Sequence, residues 1–189
     1  ILESRGKWVC LFTQDALPIT PNYLETLVRS VEKASAAGGF ARQIPRPDAS
    51  PLVRRDVEAW IAGSKNRRIQ HMDSFNRFLQ GSPFERYLFC VFDNVASIVK
   101  RDVWEKIPFP ATPFGEDIEW AYRILCNGYT LVYEPDAVVQ HSHERSPNYV
   151  YKRIAIDHYH LYQIFGLRTV PSRWKALQGF FFSSAKDFY

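Results

Sequence analysis

A short apolar run followed at once by a polar turn and an amphipathic helix most restricts what this chain can fold into. The run is Trp8–Phe12, and the turn Thr13–Asp15 comes directly after it. A helical pattern follows, which begins at Thr20-Pro21 and stops at Gly38–Gly39. Its apolar face consists of Leu24, Leu27, Val28 and Val31. A continuous apolar run predicts a strand buried on both faces of a parallel sheet, so this unit indicates an α/β fold. Ligands collect at the carboxyl ends of strands in such sheets, and we expect chemistry in the turn at residues 13–18.

The rest of the chain alternates further helical and strand patterns. Residues 45–86 contain several prolines and arginines, and we interpret them as a long irregular excursion with two short helices. We predict helices at 53–61, 74–79, 101–106 and 116–126, strands at 91–99, 129–133 and 137–140, and a connection at Glu134–Asp136 between the last two strands. Beyond residue 146, helical spacing recurs in two sets: Tyr151, Ile154, His158, Leu161, Tyr162 and Phe165, then Trp174, Leu177, Phe181 and Phe188.

Composition excludes several classes of protein. The 189 residues are 46% hydrophobic and 15% aromatic, which excludes a disordered or collagen-like chain. No window holds the roughly 18 uninterrupted apolar residues of a membrane-spanning helix, and the first residues lack the layout of a signal peptide. We therefore expect a cytoplasmic protein. Its cysteines, Cys10, Cys90 and Cys126, are odd in number and far apart, which favours buried thiols over disulfides or a structural zinc site.

The excess of positive charge lies in the C-terminal tail. Residues 1–143 hold 17 basic and 17 acidic side chains, whereas residues 144–189 hold seven basic and three acidic ones. A neutral body argues against a nucleic-acid partner. The segment 168–189 combines aromatic residues with Arg and Lys, and we expect it to contact the inner face of the plasma membrane as a peripheral helix. A helix packed against another part of the polypeptide would show the same pattern.

Three separated groups of residues could carry chemistry, and we expect them to border one shared pocket. Asp15 ends the turn after the first strand, where an aspartate caps a turn about as often as it binds a ligand. Glu116 and Asp117 open a helix beside an apolar loop, where burial raises and the helix dipole lowers a carboxyl pKa, which suits a general base. His141 and His143 are two residues apart, and on a strand both imidazoles project from one face at the spacing of a metal pair. Ordinary helix capping and a packed histidine pair are the structural alternatives.

Four motifs, taken in order along the chain, resemble the family 2 glycosyltransferases, and most closely the rhamnosyltransferase-like members that build bacterial surface polysaccharides. They are FTQDALP at 12–18, FDNVASIV at 92–99, FGEDIEW at 114–120, and a fourth motif at 133–143 that begins with Tyr-Glu-Pro and ends with His-Ser-His. The resemblance covers residues 7–145. It implies a partial GT-A fold of the α/β class, with a mixed sheet flanked by helices and C-terminal amphipathic helices. It also implies that residues 1–145 are the C-terminal catalytic part of a GT-A domain and that 146–189 are a basic, aromatic helical extension.

The resemblance implies roles for particular residues as well. Thr13–Asp15 stands at the motif that holds a metal ion and the nucleotide diphosphate, with Thr13 in place of its first acidic residue. Asp117 matches the general base, with Glu116 beside it, and His143 or His141 matches a histidine that helps to hold the metal ion. Mg²⁺ or Mn²⁺ is then the expected cofactor. The residues expected to bind substrate are Gln14, Asp15, Asn94, Trp120, Arg54 and Arg55. For the two arginines, an ordinary solvated surface stays open as an alternative.

The implied reaction is the inverting transfer of a sugar, rhamnose-like or another hexose. The donor is a nucleotide sugar, the acceptor is a glycan or a lipid-linked glycan, and the product belongs to a cell-surface polysaccharide. The chain begins at Ile1, its only methionine is Met72, and seven residues precede Trp8, so we expect a segment that transfers no sugar alone. Two alternatives stay open: a non-catalytic carbohydrate- or partner-binding remnant of the same fold, and a metal-dependent hydrolase that uses Asp15, Asp117 and His143.

Overall fold

A mixed sheet of six strands carries the fold. The computed structural model describes residues 3–187, with side chains as far as residue 182. Five strands lie side by side in the order β1, β5, β3, β6, β2, and β4 also pairs with β6. Among the strands of the described residues, only β3 and β6 run parallel, and the other pairs are antiparallel. The strands are β1 (Trp8–Phe12), β2 (Leu17–Pro18), β3 (Gly38–Ile44), β4 (Arg68–His71), β5 (Ala96–Lys100) and β6 (Thr130–Gln140).

Eight helices and one short 3₁₀ turn, Ile61–Gly63, connect or cover these strands within residues 3–187. Two apolar clusters of buried side chains enclose the sheet: one includes α1, and the other includes α6 and part of α7. The helices are α1 (Tyr23–Lys33), α2 (Pro51–Ala59), α3 (Phe75–Gln80), α4 (Pro83–Phe89), α5 (Arg101–Lys106), α6 (Glu116–Cys126), α7 (Pro147–Phe165) and α8 (Arg173–Asp187).

The first apolar run forms a strand, β1, but its predicted environment is wrong. It lies at the edge of the sheet and pairs antiparallel with β5. Val9 is buried, whereas Phe12 at the end of the strand is 41% exposed. An edge strand has one neighbour, so an apolar sequence here does not require cover on both faces. The turn that carries Asp15 still follows it directly.

Gly38 and Gly39 were predicted to stop the first helical pattern. They instead begin β3, a strand that the sequence pattern did not reveal. A methyl group added at Gly39 would lie 2.5 Å from Cγ2 of Val31 and 3.1 Å from the carbonyl oxygen of Val132. The missing side chain therefore lets α1 pack directly over β3 and β6. This close packing holds the one parallel pair of strands at the centre of the sheet.

The last two predicted strands form one strand, β6. The predicted connection at Glu134–Asp136 is an irregularity inside it, and the register against β3 shifts there, between Ala41 and Arg42. Pro135 has no amide proton to donate, which a bulge tolerates and a regular ladder does not. The buried Glu134 accepts hydrogen bonds from the Ser30 hydroxyl and from Arg67. Strand β6 therefore continues past the irregularity and ends at Gln140, directly before His141.

Most predicted helices form close to their predicted bounds, whereas β4 and α4 were missed. In α4 the side chain of Ser82 caps the Glu85 amide and Glu85 caps Ser82 in return. Only the second half of the apolar run 91–99 forms a strand. Its first half is a buried loop, which turns Asp93 and Asn94 away from the ladder.

The C-terminal helices differ in how they pack. In α7, Leu161 and Phe165 are buried in the core, and Arg86 of α4 donates to the Phe165 carbonyl. In α8 the aromatic side chains are exposed as far as Phe182, and Phe188 lies outside the described residues. Across residues 3–187, no helix combines the length and the apolarity needed to cross a bilayer. The boundary between 1–145 and 146–189 stays a prediction.

Candidate active site

Asp15, His141 and His143 form one cluster at the end of the sheet. Asp15 lies in the turn after β1, and the histidines follow β6 directly. The two-residue strand β2 pairs with the end of β6 and so draws the Asp15 turn toward the histidines. Nε2 of His141 lies 3.7 Å from Oδ1 of Asp15, and Nε2 of His143 lies 3.2 Å from Oδ2. The cluster brings together the three residues that were predicted to bind a metal ion.

The charges in this cluster suit a cation. Burial lowers the pKa of both histidines, and the positive charge of Arg145 lowers that of His143 further. Both imidazoles are therefore neutral at neutral pH, as metal ligands must be. Although burial acts in the opposite sense, His141 and His143 lower the pKa of Asp15, so it is ionised.

The donor set fits a divalent metal ion. One ligand atom from each of Asp15, His141 and His143 lies within 4.8 Å of the other two. Carboxylate oxygen with imidazole nitrogen suits Mn²⁺ and also accommodates Mg²⁺. The cavity beside the cluster measures about 370 Å³ and is lined by Asp15, Arg46, Asp48, Ala49, Ser142, His143 and Glu144. Arg46 donates to the Asp15 carbonyl at 2.9 Å and brings a positive charge to the same cavity.

Two positions of the predicted metal motif are not among the cluster's ligand atoms. Thr13 stands where the resemblance implies a carboxylate, and its hydroxyl donates to the Val95 carbonyl at 3.5 Å. Gln14 is exposed in the same turn. Asp15 is therefore the only carboxylate that this turn contributes to the cluster.

Asp117 lies at the start of α6, partly buried. Gly115 caps this helix with a φ of 73°, and a methyl group there would lie 2.8 Å from the His160 ring, so only glycine fits. The Asp117 carboxylate accepts from the Ile118 amide at 2.8 Å and from the Asn94 amide at 3.4 Å. Burial, with the negative charges of Asp93 and Glu116, raises the pKa of Asp117 to about 7. A carboxyl with such a pKa can accept a proton near neutrality.

The cavity at Asp117 measures about 240 Å³ and is mainly aromatic and apolar. Its lining residues are Trp60, Tyr87, Phe92, Asp93, Phe114, Gly115, Asp117, Ile118, Arg153, Asp157, His160 and Leu161. Helix α7 forms one wall, where the Arg153 guanidinium lies 3.7 Å from the centre of the Phe114 ring and Nε is 3.4 Å from Asp157. Aromatic faces with a few charged groups are typical of a small-molecule site.

Hydrogen bonds join the two cavities. Nδ1 of His141 lies 2.9 Å from Oε1 of Gln43, and Nε2 of Gln43 donates to Oδ2 of Asp93 at 2.7 Å. Asp93 lines the same cavity as Asp117. Asp15 and Asp117 thus line different cavities, in contrast to the single shared pocket expected from the sequence. Gln43, in the strand β3 that the sequence analysis missed, connects His141 of the cluster with Asp93 in the wall of the Asp117 cavity.

Comparisons with known proteins find two similar sequences among curated proteins. No family model matches the chain. It is 28% identical over 152 residues to the O-antigen chain rhamnosyltransferase WbaN of Salmonella anatum and 27% identical over 149 residues to the O-antigen chain rhamnosyltransferase RfbN of Salmonella typhimurium. Each match covers 77% of this chain and 44% of the relative, so the chain spans less than half the length of these curated relatives.

A solved structure shares the fold. It is the mannosyltransferase PcManGT from Pyrobaculum calidifontis in complex with GDP-Man and Mn²⁺, with a TM-score of 0.52 and 17% identity, covering 86% of this chain and 39% of that one. The chain is thus similar in sequence to two proteins named as rhamnosyltransferases and in fold to a mannosyltransferase. The predicted α/β fold of partial GT-A type, with a mixed sheet flanked by helices, is confirmed.

Trp120, which was predicted to bind substrate, lies in the core and lines neither of the two cavities. It is fully buried, its indole N–H donates to the Ile107 carbonyl at 2.8 Å, and its ring packs against Phe92 and Phe109. A tryptophan three residues after Asp117 in α6 faces the core and not the cavity. We therefore assign Trp120 to the core beneath the site.

Three other predicted substrate-binding residues, Asn94, Arg54 and Arg55, are not among the residues that line the two cavities. Asn94 donates to Asp117 through its backbone amide and to Glu116 through its side chain, each at 3.4 Å, so it holds both carboxylates. Arg54 donates to the carbonyls of Arg46 and Pro47 and thereby supports the loop that carries Arg46. Arg55 is exposed on α2, 3.5 Å from Asp56.

Sequence reasoning missed Gln43, Arg46, Asp93 and Arg153. Asp93 had a usable signal, because a carboxylate inside an apolar run is costly unless it has a function or partners. Gln43 and Arg46 had none, since their positions depend on the pairing of β3 with β6. Arg153 lies on α7, which was expected to form a separate extension.

The raised pKa of Asp117 predicts how its removal alters stability with pH. In the unfolded chain the carboxyl ionises near its ordinary pKa of 3.8, whereas in the folded chain it holds its proton to about pH 7. Unfolding therefore becomes more favourable as pH rises from about 4 to 7, and the full penalty on the folded state remains above pH 7. Relative to its effect at pH 4, Asp117→Asn should therefore raise the free energy of unfolding at pH 8 by on the order of 4 kcal/mol.

Urea denaturation of wild type and variant at both pH values measures this difference. Asp136→Asn removes a carboxylate from the exposed surface and controls for the loss of one negative charge. A gain for Asp117→Asn that is the same at pH 4 and pH 8 would contradict the raised pKa.

Proposed function

We propose that this chain is the catalytic part of an inverting, family 2 glycosyltransferase that acts in cell-surface polysaccharide synthesis. It transfers a sugar, rhamnose-like or another hexose, from a nucleotide-sugar donor to a glycan or lipid-linked acceptor. One observation carries the proposal: a carboxyl with a pKa of about 7 lines a small aromatic cavity, and Asp93 in the wall of the same cavity is linked by hydrogen bonds through Gln43 to a three-donor cation cluster. The names of the two rhamnosyltransferase relatives support the class of reaction.

Asp117 acts as the general base. Inverting transfer requires a base that takes the proton from the acceptor hydroxyl while its oxygen attacks the anomeric carbon of the donor sugar. The cavity of about 240 Å³ is somewhat smaller than typical ligand pockets, about 300–1,000 Å³, and suits one sugar unit of the acceptor. Trp60 and Tyr87 offer aromatic surface to the apolar face of that sugar. Glu116 and Asn94 hold the start of α6 in place around the base.

Asp15, His141 and His143 hold Mg²⁺ or Mn²⁺. When bound, the cation stabilises the negative charge of the departing diphosphate. Arg46 adds a permanent positive charge at the same cavity, where it can contact a phosphate oxygen. Gln14, exposed in the same turn, is positioned to contact the donor.

The place of action and the activity of these residues alone are also proposals. We expect a cytoplasmic enzyme at the inner face of the plasma membrane, where lipid-linked acceptors are available. The 44% share of the relatives' length supports the prediction that the 189 residues alone turn over no sugar. Transfer is therefore assayed in an active polypeptide that contains them.

Replacing the base should abolish transfer and spare binding. We expect Asp117→Asn to lower kcat by about 10²–10⁴-fold, because the amide cannot accept the proton, with little change in donor KM. In the wild type, kcat/KM should rise with pH and level off above pH 7, where Asp117 is ionised. Steady-state kinetics with a nucleotide-sugar donor measure both.

Asp102→Asn serves as the control, since this carboxylate is exposed on α5 beside Lys100. Near-normal kcat in Asp117→Asn, with kcat of Asp102→Asn also unchanged, would show that Asp117 is not the general base.

The cation cluster predicts metal-dependent binding of a nucleoside diphosphate. Titration calorimetry with Mn²⁺, followed by UDP, dTDP or GDP, should give binding that Asp15→Asn and His143→Asn each weaken at least tenfold. His71→Asn is the control, because His71 is an exposed histidine on β4. Absence of Mn²⁺-dependent binding would favour the non-catalytic remnant, for which Thr13 in the metal motif is the supporting observation.

The segment 168–189 is proposed to bind an anionic membrane. Trp174, Phe180, Phe181 and Phe182 of α8 are each 64–68% exposed, and Arg173 and Lys175 lie beside them. Flotation with vesicles rich in anionic lipid should recover the protein, and Phe180→Ser with Phe181→Ser should weaken binding at least tenfold. Tyr151→Ser, which alters an exposed aromatic residue outside the segment, should leave binding unchanged. Equal recovery with and without vesicles would reject the membrane contact.

A further inference from the structure

The side-chain amide of Gln43 lies between the cation cluster and the base cavity. Gln43 is 9% exposed, and its side-chain oxygen and nitrogen contact two different residues. Oε1 lies 2.9 Å from Nδ1 of His141, and Nε2 donates to Oδ2 of Asp93 at 2.7 Å.

The sheet fixes this placement. In the parallel ladder Gln43 is paired with Val139, and His141, two residues further on, continues the ladder by donating its amide proton to the Ile44 carbonyl at 2.9 Å. Side chains two residues apart on a strand project from one face, so Gln43 and His141 lie on the same face of the sheet. Their contact is therefore held by backbone pairing on both sides.

The contacts of Gln43 determine which nitrogen of His141 carries the proton. An amide nitrogen only donates and an amide oxygen only accepts. Because Nε2 of Gln43 donates to the carboxylate of Asp93, its Oε1 faces His141 and accepts a proton from Nδ1. In the neutral imidazole this leaves a lone pair on Nε2, which faces Oδ1 of Asp15 at 3.7 Å. This nitrogen and the carboxylate oxygen can then both bind one cation placed between them.

We infer that Gln43 is a positioning residue that holds His141 in its Nδ1–H form, presents the Nε2 lone pair to the cation, and joins this imidazole to Asp93 in the base cavity. The role toward the cation rests on the proposed function, whereas the protonation of His141 does not. Partners that orient a metal-binding histidine in this way strengthen its binding to the metal.

His143 provides an internal comparison. Within the described part of the chain, its Nε2 contacts Asp15 but no group is hydrogen-bonded to its Nδ1. Among the described residues, no hydrogen bond therefore determines which ring nitrogen of His143 carries the proton, whereas Gln43 determines it in His141. The inference predicts different protonation behaviour for two histidines that lie side by side.

The first experiment tests the wild-type chain without metal. Long-range ¹⁵N–¹H correlation NMR at pH 8, in the presence of EDTA, distinguishes Nδ1–H from Nε2–H imidazoles, and His141→Asn identifies the signal among the five histidines. We expect His141 in the Nδ1–H form alone in the wild type and a mixture of both forms in Gln43→Leu. An Nε2–H form of His141 in the wild type overturns the inference, whatever the folding of any variant.

The second experiment measures Mn²⁺ affinity. Gln43→Leu should weaken Mn²⁺ binding by about 10–100-fold. Gln43→Glu keeps an acceptor for Nδ1–H and should stay within a few-fold of the wild type. Gln70→Leu is the matched control: Gln70 is a buried glutamine that donates to the carbonyls of Phe89 and Val91, and its removal should leave Mn²⁺ affinity unchanged.

The two experiments separate the two proposals. If the wild type binds no Mn²⁺, the proposed cation site fails, and the NMR result still decides the role of Gln43 toward His141. If Gln43→Leu binds Mn²⁺ as tightly as the wild type, Gln43 does not position a metal ligand and the inference is wrong.

Discussion

The parallel pairing of β3 with β6 is the contact on which both halves of the candidate site depend. It brings Gln43 beside His141 and places the carboxyl ends of both strands at one end of the sheet. The turn before β2 carries Asp15 to the same place. Gly39 at the start of β3 lets α1 pack closely over this pair, and Gly38 leaves room for the Trp120 ring of α6. The irregularity at Glu134–Asp136 lengthens β6 without ending it, so His141 lies at the end of the sheet. An interruption of this pairing would separate the cation cluster from the base cavity.

The second constraint is the concentration of negative charge at the start of α6. Asp93, Glu116 and Asp117 lie close together, and burial raises the pKa of Asp93 as well as that of Asp117. Such an arrangement lowers the stability of the folded chain, and backbone amides compensate for only part of the cost. Groups that oppose stability in this way are concentrated at functional sites. The cluster therefore supports a catalytic role more strongly than any single motif does.

The sequence was informative where structure is determined locally. The edge strand β1, the helices α1, α5 and α6, and the paired histidines all follow from spacing over a few residues. The strand β3 was missed because two glycines and the polar residues Arg42 and Gln43 carry no strand pattern, and only the distant β6 makes them a strand. Trp120 was expected near a substrate because it follows Asp117 closely, yet the helix turns it into the core. Gln43 belongs to none of the motifs, so its contact with His141 could be found only from the fold.

Helix α7 was expected to belong to a separate extension, yet it forms a wall of the cavity that contains Asp117. The side chains on that wall, Arg153, Asp157 and His160, contribute neither to the cation cluster nor to the backbone amides that hold the base. Under the proposed function, evolution can therefore reshape the acceptor cavity through α7 while the groups that perform the chemistry stay unchanged. Enzymes of one lineage could then diverge in the glycan they extend without any change in how they extend it.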